Sequence, residues 1–392
     1  MSQTLDHPPA APEGTVTLDE RHLALVLDGR RRRFHYVWLR DNSWAGPDRV
    51  AQSGERRLVT GAIPPGVRPT AASFDAVAGL EVLWNDGQAC VYAPEWLRRH
   101  DYSTGPRRRP RPAAALWPAD AGNPPRFAHA DVVGSVDGQL AWLDAVAAHG
   151  AAVVTGVPSR HHEVERFAQT VGHVREVAFD RVHDVRHDPA GYNVAHTSGE
   201  LRPHTDMPSY DWPPSVQLLH FLVNRARGGD STLVDGWAAL AELRRDAPEH
   251  FATLCRVPVP FQLFSEDEDT WAENPMVTLD ADGEVRLLRF SNQLAQPLAA
   301  PFDEVEAFYA AYRHLAGIID SGRYRASFRC DDGDLVTVHS HRVLHGRLPY
   351  DPASGARHLQ DVYMDVDDLL ARRRVLRGEH KPLPAQTPGE TA

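Results

Sequence analysis

The sequence predicts an α+β fold, with helices set around a mostly antiparallel β core and a small β-rich domain in front of it. Three observations lead there. From Thr15 to Tyr102 the chain reads as short β-prone runs separated by turns. From about Ala128 helical and strand-like segments both occur, but not in the strict alternation of a doubly wound parallel sheet. The 392 residues are 42% hydrophobic and 24% charged, enough to bury a large core, and at roughly 100–200 residues per domain they accommodate two domains.

Taken in order, residues 1–14 read as a disordered tail and 15–102 as the small β domain. In that domain HLALVLDG (22–29) and RRFHYVWLR (32–40) predict strands around a Gly-containing turn. EVLWNDGQACVYA (81–93) predicts a hairpin with Asn85, Asp86 and Gly87 at its tip, and APEWLRRH a short helix. Residues 103–126 are rich in Pro, Gly and Arg and lack either periodicity, which predicts a linker. Its run Arg107, Arg108, Arg109, Pro110, Arg111 leaves two readings open, a solvated connection or an anion patch. Residues 127–380 form the second domain, followed by a tail over 381–392. Apolar spacing there predicts helices over 137–150, stopped by Gly150, and over 161–172, 235–249 and 302–320. Strand-like runs fall at 151–157, 215–223, 284–290, 324–330 and 334–340.

The 42 Lys+Arg against 53 Asp+Glu give a formal charge of -11, which disfavours a nucleic-acid partner because phosphates are repelled on average. Cys90, Cys255 and Cys330 are too few and too scattered for a disulfide framework or a thiolate zinc site, which suits a reducing compartment. The N-terminus has no basic start followed by an apolar run, and no stretch reaches the roughly 20 apolar residues of a membrane span. The expectation is a soluble cytoplasmic protein acting on a small molecule, without a membrane. The 21 His are many for this length, and His is the commonest transition-metal ligand.

Chemistry concentrates in Leu201-Arg202-Pro203-His204-Thr205-Asp206. In an extended strand, residues two apart share a face, so His204 and Asp206 can converge on one ion. His345, in Val343-Leu344-His345-Gly346-Arg347, follows a strand far along the chain and supplies a third donor. Two imidazoles and one carboxylate leave coordination positions open, the arrangement of non-haem Fe(II) enzymes that bind a co-substrate and O₂ together. A 2-oxoglutarate that chelates such an iron leaves a distal carboxylate in need of a buried cation, and Arg binds carboxylate bidentately. Arg357 follows His345 across the Leu348–Ser354 loop, where a reversal of the chain would set the two strands side by side. A surface ion pair is the other reading of Arg357, and His341 is a second candidate for the third donor.

RPHTDMPSYDWPPSVQLLHFLV (202–223), GGDSTLVDGW (228–237), RVLHGR (342–347) and ARHLQDVYMDVDDLLARRRVL (356–376) resemble the γ-butyrobetaine and trimethyllysine dioxygenase group, within the taurine dioxygenase superfamily of Fe(II)/2-oxoglutarate oxygenases. HLALVLDGRRRRFHYVWLRDNS (22–43) resembles the small N-terminal domain of that group. The resemblance implies a double-stranded β-helix (jelly-roll) catalytic domain with flanking helices. It implies iron on His204, Asp206 and His345, and 2-oxoglutarate on Arg357 assisted by Ser231 or Thr232. The reaction implied is hydroxylation of an unactivated C–H bond coupled to release of succinate and CO₂. A homodimer is implied by the same likeness.

Two departures from the group's pattern matter. Where its N-terminal domain often carries zinc, this chain has Asn42-Ser43-Trp44-Ala45-Gly46-Pro47-Asp48 and Gln88, so no metal is expected there. Where betaine-hydroxylating members surround a trimethylammonium group with aromatic rings, the matching positions hold Phe179, His183 and His196, and Tyr363 alone keeps its aromatic type. Asn193 and Asn292 match places that contact the far end of the substrate, and Met207, Trp212 and Trp237 read equally as cavity wall or as core. The substrate is thus a small polar molecule, betaine-like, an amino acid or a natural-product intermediate. Desaturation, cyclisation or C–N cleavage by the same oxidant, and a non-catalytic binding protein on the same fold, are the competing readings.

Overall fold

The computed structural model describes residues 11–105, 111–120, 122–178, 180–188 and 194–379. These divide into two compact units, one N-terminal and ending at Arg111, the other starting at Pro112.

The first unit holds two three-stranded antiparallel sheets, Val16–Leu18 with His22–Leu27 and Arg30–His35, and Pro69–Asp75 with Gly79–Trp84 and Ala89–Tyr92. Leu23, Leu25, Phe34, Leu80, Val82 and Trp84 lie in one buried cluster. The run expected as a single strand over 32–40 splits, because its partner strand begins at His22, opposite His35. Beyond that register the backbone must find its hydrogen bonds locally, and Tyr36–Asp41 forms a helix that buries Tyr36, Leu39 and Arg40, the i, i+3, i+4 spacing of a helical face. Arg40 pairs with Asp48 at 2.9 Å and with Asp86 at 2.8 Å. Ser43, at a position the resemblance links to zinc, accepts a hydrogen bond from the buried Cys90 thiol at 3.1 Å.

Ten strands of the second unit position the site: β1 Arg126–Ala128, β2 Ala151–Thr155, β3 His183–Arg186, β4 Leu201–His204, β5 Val216–Asn224, β6 Ser231–Asp235, β7 Arg325–Phe328, β8 Leu335–His339, β9 Val343–Arg347 and β10 Arg357–Met364. One sheet runs β1-β2-β8-β5-β10-β3, antiparallel except for the β1–β2 pair, and a second runs β4-β9-β6-β7, antiparallel throughout. This is a mixed α/β architecture rich in strands. The helix Val136–His149 ends on Gly150, whose φ of 76° is the left-handed conformation that closes many helices. The helices Gly236–Asp246, Pro248–Arg256 and Phe302–Asp320 gather around a core that includes Leu240, Leu243, Leu254 and Leu315.

Residues 112–118 have no regular structure, as their composition predicts, yet they are tied down. The Trp117 amide donates to Asp235 at 3.0 Å and its indole to the His149 carbonyl at 2.8 Å. Asp235 in turn pairs at 2.8 Å with Arg342, and both side chains are fully buried. Residues 106–110 of the basic run lie outside the described residues. Among the described residues, no helix is long and apolar enough to cross a membrane.

Candidate active site

Both sheets contribute residues to one cavity of about 610 Å³. From the six-stranded sheet come His183 and Val185 on β3, Gln217, Leu219 and Phe221 on β5, and Arg357, Leu359, Asp361 and Tyr363 on β10. The two-residue step within each strand is the pleat itself. The four-stranded sheet adds Leu201 and His204 from β4, Ser231 from β6, and His345 and Arg347 from β9, with Gly346, which has no side chain, between them.

His204 and His345 are direct partners across the β4–β9 pair, and their rings lie 4.5 Å apart. Gly346 permits this approach, since a Cβ there would sit 2.5 Å from the Leu201 carbonyl oxygen. The Nδ1–H of His204 donates to the Arg202 carbonyl at 2.9 Å, which leaves Nε2 facing Asp206 Oδ1 at 3.0 Å. His345 Nε2 lies 3.5 Å from Asp206 Oδ2. One donor atom from each of the three residues falls within 4.8 Å of the others, and among the described residues no other group of three or more His, Cys, Asp or Glu does so.

Burial opposes the charged form of every member. It pushes the His345 imidazole down to about 4. Burial also opposes the Asp206 carboxylate, but the two imidazoles and hydrogen bonds from His204 and Tyr363 outweigh it and hold Asp206 far below the usual carboxylate range. For His204 burial is outweighed by the hydrogen bond and charge of Asp206, and the net direction is upward. A borderline-hard divalent ion would replace these mutual contacts, and two imidazole nitrogens with one carboxylate are a donor set suited to Fe(II). The residues fit that ion.

Arg357 is 9% exposed, and among the described residues no acid pairs with it; its Nε has no hydrogen-bond partner. The guanidinium lies over the rings of Phe221 and Tyr350, at 5.6 and 5.3 Å. Burial, with Arg347 nearby, pushes it down to about 10. Arg347 differs, because its guanidinium donates to the carbonyls of Thr197 and Gly199. A buried cation left without an anion suits the distal carboxylate of a bound dicarboxylate.

The remaining expected residues divide. Ser231, Met207, His183 and Tyr363 line the cavity; Met207 is buried, with φ 52°. Thr232 does not, because it shares its face with its partner Gly346 and points away from the row that carries Ser231 and His345. Asn292 is exposed and outside the lining, where its neighbours Ser291 and Gln293 stand instead. His196 lies behind the wall, its ring edge-on to His183 at 5.7 Å and its Nδ1 on the Arg186 carbonyl. Trp212 and Trp237 are not in the lining either. His341 is held by the Pro213 carbonyl, apart from the three-residue group. Phe179 and Asn193 lie outside the described residues.

Sequence reasoning missed a polar chain that continues from the triad. The Tyr363 hydroxyl donates to Asp206 Oδ2 at 2.8 Å, and the Gln217 amide donates to the Tyr363 oxygen at 3.1 Å and to Asp361 Oδ2 at 2.6 Å. His183 Nδ1 meets Asp361 Oδ1 at 3.2 Å; burial opposes the imidazolium, but the bond and charge of Asp361 outweigh it and raise His183. The available signal was strand parity: Asp361 shares the row of Arg357, and Gln217 that of Phe221.

Known proteins resemble the chain over most of its length. The family model described as taurine catabolism dioxygenase TauD, TfdA family, matches residues 116–363. The chain belongs to that family. A second model, gamma-butyrobetaine hydroxylase-like, N-terminal, matches residues 15–98. A gamma-butyrobetaine dioxygenase from Pseudomonas sp. (strain AK-1) is 35% identical over 353 residues, covering 89% of this chain and 92% of the relative. The human gamma-butyrobetaine dioxygenase is 27% identical, covering 92% of this chain and 96% of its own, and the rat mitochondrial trimethyllysine dioxygenase is 27% identical, covering 91% and 86%. This TauD/TfdA member is an Fe(II)- and 2-oxoglutarate-dependent dioxygenase that uses O₂ and acts on a small molecule.

Proposed function

We propose that His204, Asp206 and His345 hold Fe(II), that Arg357 binds the distal carboxylate of 2-oxoglutarate with Ser231 beside it, and that the enzyme hydroxylates an unactivated C–H bond of a small polar substrate. The observation that carries this reading is the pairing, in one cavity, of three metal-capable donors within 4.8 Å from the four-stranded sheet side and, on the six-stranded sheet, a buried guanidinium with no acid partner among the described residues. When bound, the iron with 2-oxoglutarate and O₂ supplies an oxidant strong enough for such a bond, with succinate and CO₂ released. The chain's own part is to fix the His204 tautomer through Arg202, orient Asp206 through Tyr363 and neutralise the co-substrate through Arg357.

The architecture belongs to the same proposal. The four- and six-stranded sheets serve as the two walls of a double-stranded β-helix over 127–380, with 15–102 as a separate β-rich domain. The active form is a homodimer, which sedimentation would reveal. The substrate is betaine-like, an amino acid or a natural-product intermediate, in keeping with the enzymes named among the relatives.

The test is succinate release from 2-oxoglutarate by the full chain with Fe(II) and O₂, beside Asp206→Ala. Loss of turnover by about a thousandfold is expected for the variant, because a carboxylate ligand cannot be replaced by a methyl group. Normal turnover by the variant would place the metal elsewhere. A product heavier by one oxygen atom marks hydroxylation; a product lighter by two hydrogens would mark desaturation instead.

A further inference from the structure

The iron and co-substrate assigned above use His204, Asp206, His345 and Arg357. They leave a second polar pole in the same cavity, made by Asp361, Gln217 and His183. We propose that this pole is the recognition site for an ammonium group of the substrate that still carries N–H bonds, with Asp361 and the Gln217 carboxamide oxygen as acceptors. The inference rests on the dioxygenase reading, because it takes the cavity to be shared by substrate and co-substrate.

Two independent observations point to a donor-bearing cation. Asp361 is a carboxylate only 2% exposed; Gln217 Nε2 meets one of its oxygens and His183 Nδ1 the other, and the Tyr363 hydroxyl is also close. Each carboxylate oxygen can accept again, whatever the charge of His183, which, against burial, Asp361 pushes upward. Gln217 is likewise 2% exposed and lines the cavity, yet its Oε1 is buried with no hydrogen-bond partner. Its orientation is fixed, because reversing the amide would turn oxygen toward the Asp361 carboxylate and forfeit both donated bonds. A buried acceptor without a donor is costly, and a ligand N–H satisfies it. A quaternary ammonium cannot: it has no N–H, and it is recognised through aromatic faces. Among the described residues, the aromatic rings of Phe, Tyr and Trp that line the cavity are Phe221, Phe264 and Tyr363. Phe221 lies under Arg357, Phe264 is largely exposed, and the hydroxyl of Tyr363 is engaged by Asp206.

The test is a methylation series. The full chain, loaded with Mn(II) and 2-oxoglutarate under nitrogen so that nothing turns over, is titrated calorimetrically with 4-aminobutyrate and its N-methyl, N,N-dimethyl and N,N,N-trimethyl homologues. Affinity is expected to fall along the series, with the trimethyl member weaker than the primary amine by about tenfold or more. Asp361→Asn is expected to weaken the primary amine about 10- to 100-fold while changing the trimethyl member and 2-oxoglutarate by less than about twofold. A trimethyl homologue bound as tightly as the primary amine, or no binding by any member, overturns the inference. The wild-type series decides this even if Asp361→Asn does not fold. Titration of 2-oxoglutarate into the same Mn(II)-loaded protein separates the two readings. If it binds and the amines are not discriminated, the ammonium site alone is lost; if it does not bind, the dioxygenase assignment falls and the ammonium site with it.

Discussion

Arg40 in the N-terminal unit and Arg357 in the catalytic unit are both buried guanidinium groups, 5% and 9% exposed. Their surroundings are opposite. Arg40 donates to Asp48 and Asp86, and although burial opposes its charge, the Asp86 hydrogen bond and the two carboxylates outweigh this and push its pKa up. Arg357 has aromatic faces and another arginine around it, and burial pushes it down to about 10. A buried charge answered within the chain fixes a fold. One left unanswered, such as Arg357, is the group the proposal gives to a co-substrate carboxylate.

The largest expected effects break the two apart by readout. Arg40→Ala should lower the unfolding free energy by about 3–5 kcal/mol, because it strands two carboxylates in a nearly closed environment. Its effect on 2-oxoglutarate affinity should be small. Arg357→Ala should do the reverse, weakening 2-oxoglutarate by about 30-fold or more through loss of a buried charge partner, while Mn(II) affinity and unfolding midpoint stay close to wild type. Denaturant melts and co-substrate titrations of both variants check this. An Arg357→Ala protein with unchanged 2-oxoglutarate affinity would remove Arg357 from the site.

How far such a contrast could be read from sequence depends on periodicity. The pleat turns position into facing, so His204, His345 and Arg357 could be nominated from residue type and spacing, though the His204–Asp206 pair alone also read as polar strand-end residues and Arg357 as a surface ion pair. Asp206 itself falls beyond the strand Leu201–His204, where parity does not apply. The same rule exposes Asp361 and Gln217 in retrospect, yet a single acid or amide in an apolar strand also reads as an edge or turn residue, and only the cavity makes the difference. Tyr36, Leu39 and Arg40 carried a helical spacing that the aromatic, β-prone composition of the run masked. Asn292 was beyond reach for another reason. It lies in an irregular stretch after the strand Val285–Leu288, where no period says which of Ser291, Asn292 and Gln293 turns inward.

A middle-sized effect sharpens the comparison at the triad. Tyr363→Phe keeps the ring but removes the hydroxyl that donates to Asp206 and accepts from Gln217. Partners that orient a metal ligand typically contribute about 10- to 100-fold in metal affinity or activity. A loss of that size in Mn(II) affinity is expected, with 2-oxoglutarate affinity of the metal-saturated protein little changed. Unaltered metal binding would make the hydroxyl a structural bond of the Arg40 kind.

The smallest effect tests whether facing alone assigns roles around Arg357. Ser231 and Thr232 are adjacent on β6, both hydroxyl-bearing, and residue type gives no reason to prefer one. Pleating does: Ser231 shares the cavity row with His345 and Arg347, whereas Thr232 sits on the other face with its side-chain oxygen beside Gly346. Ser231→Ala should weaken 2-oxoglutarate by a factor of about 3 to 10, the worth of one hydrogen bond to a charged group. Thr232→Val preserves shape and should leave co-substrate affinity within about twofold, its cost appearing in the melt as roughly 1 kcal/mol. If the two variants exchanged these outcomes, the register of β6 against β9 would be off by one residue, because a slip of one residue turns every side chain of β6, Ser231 included, to the opposite face.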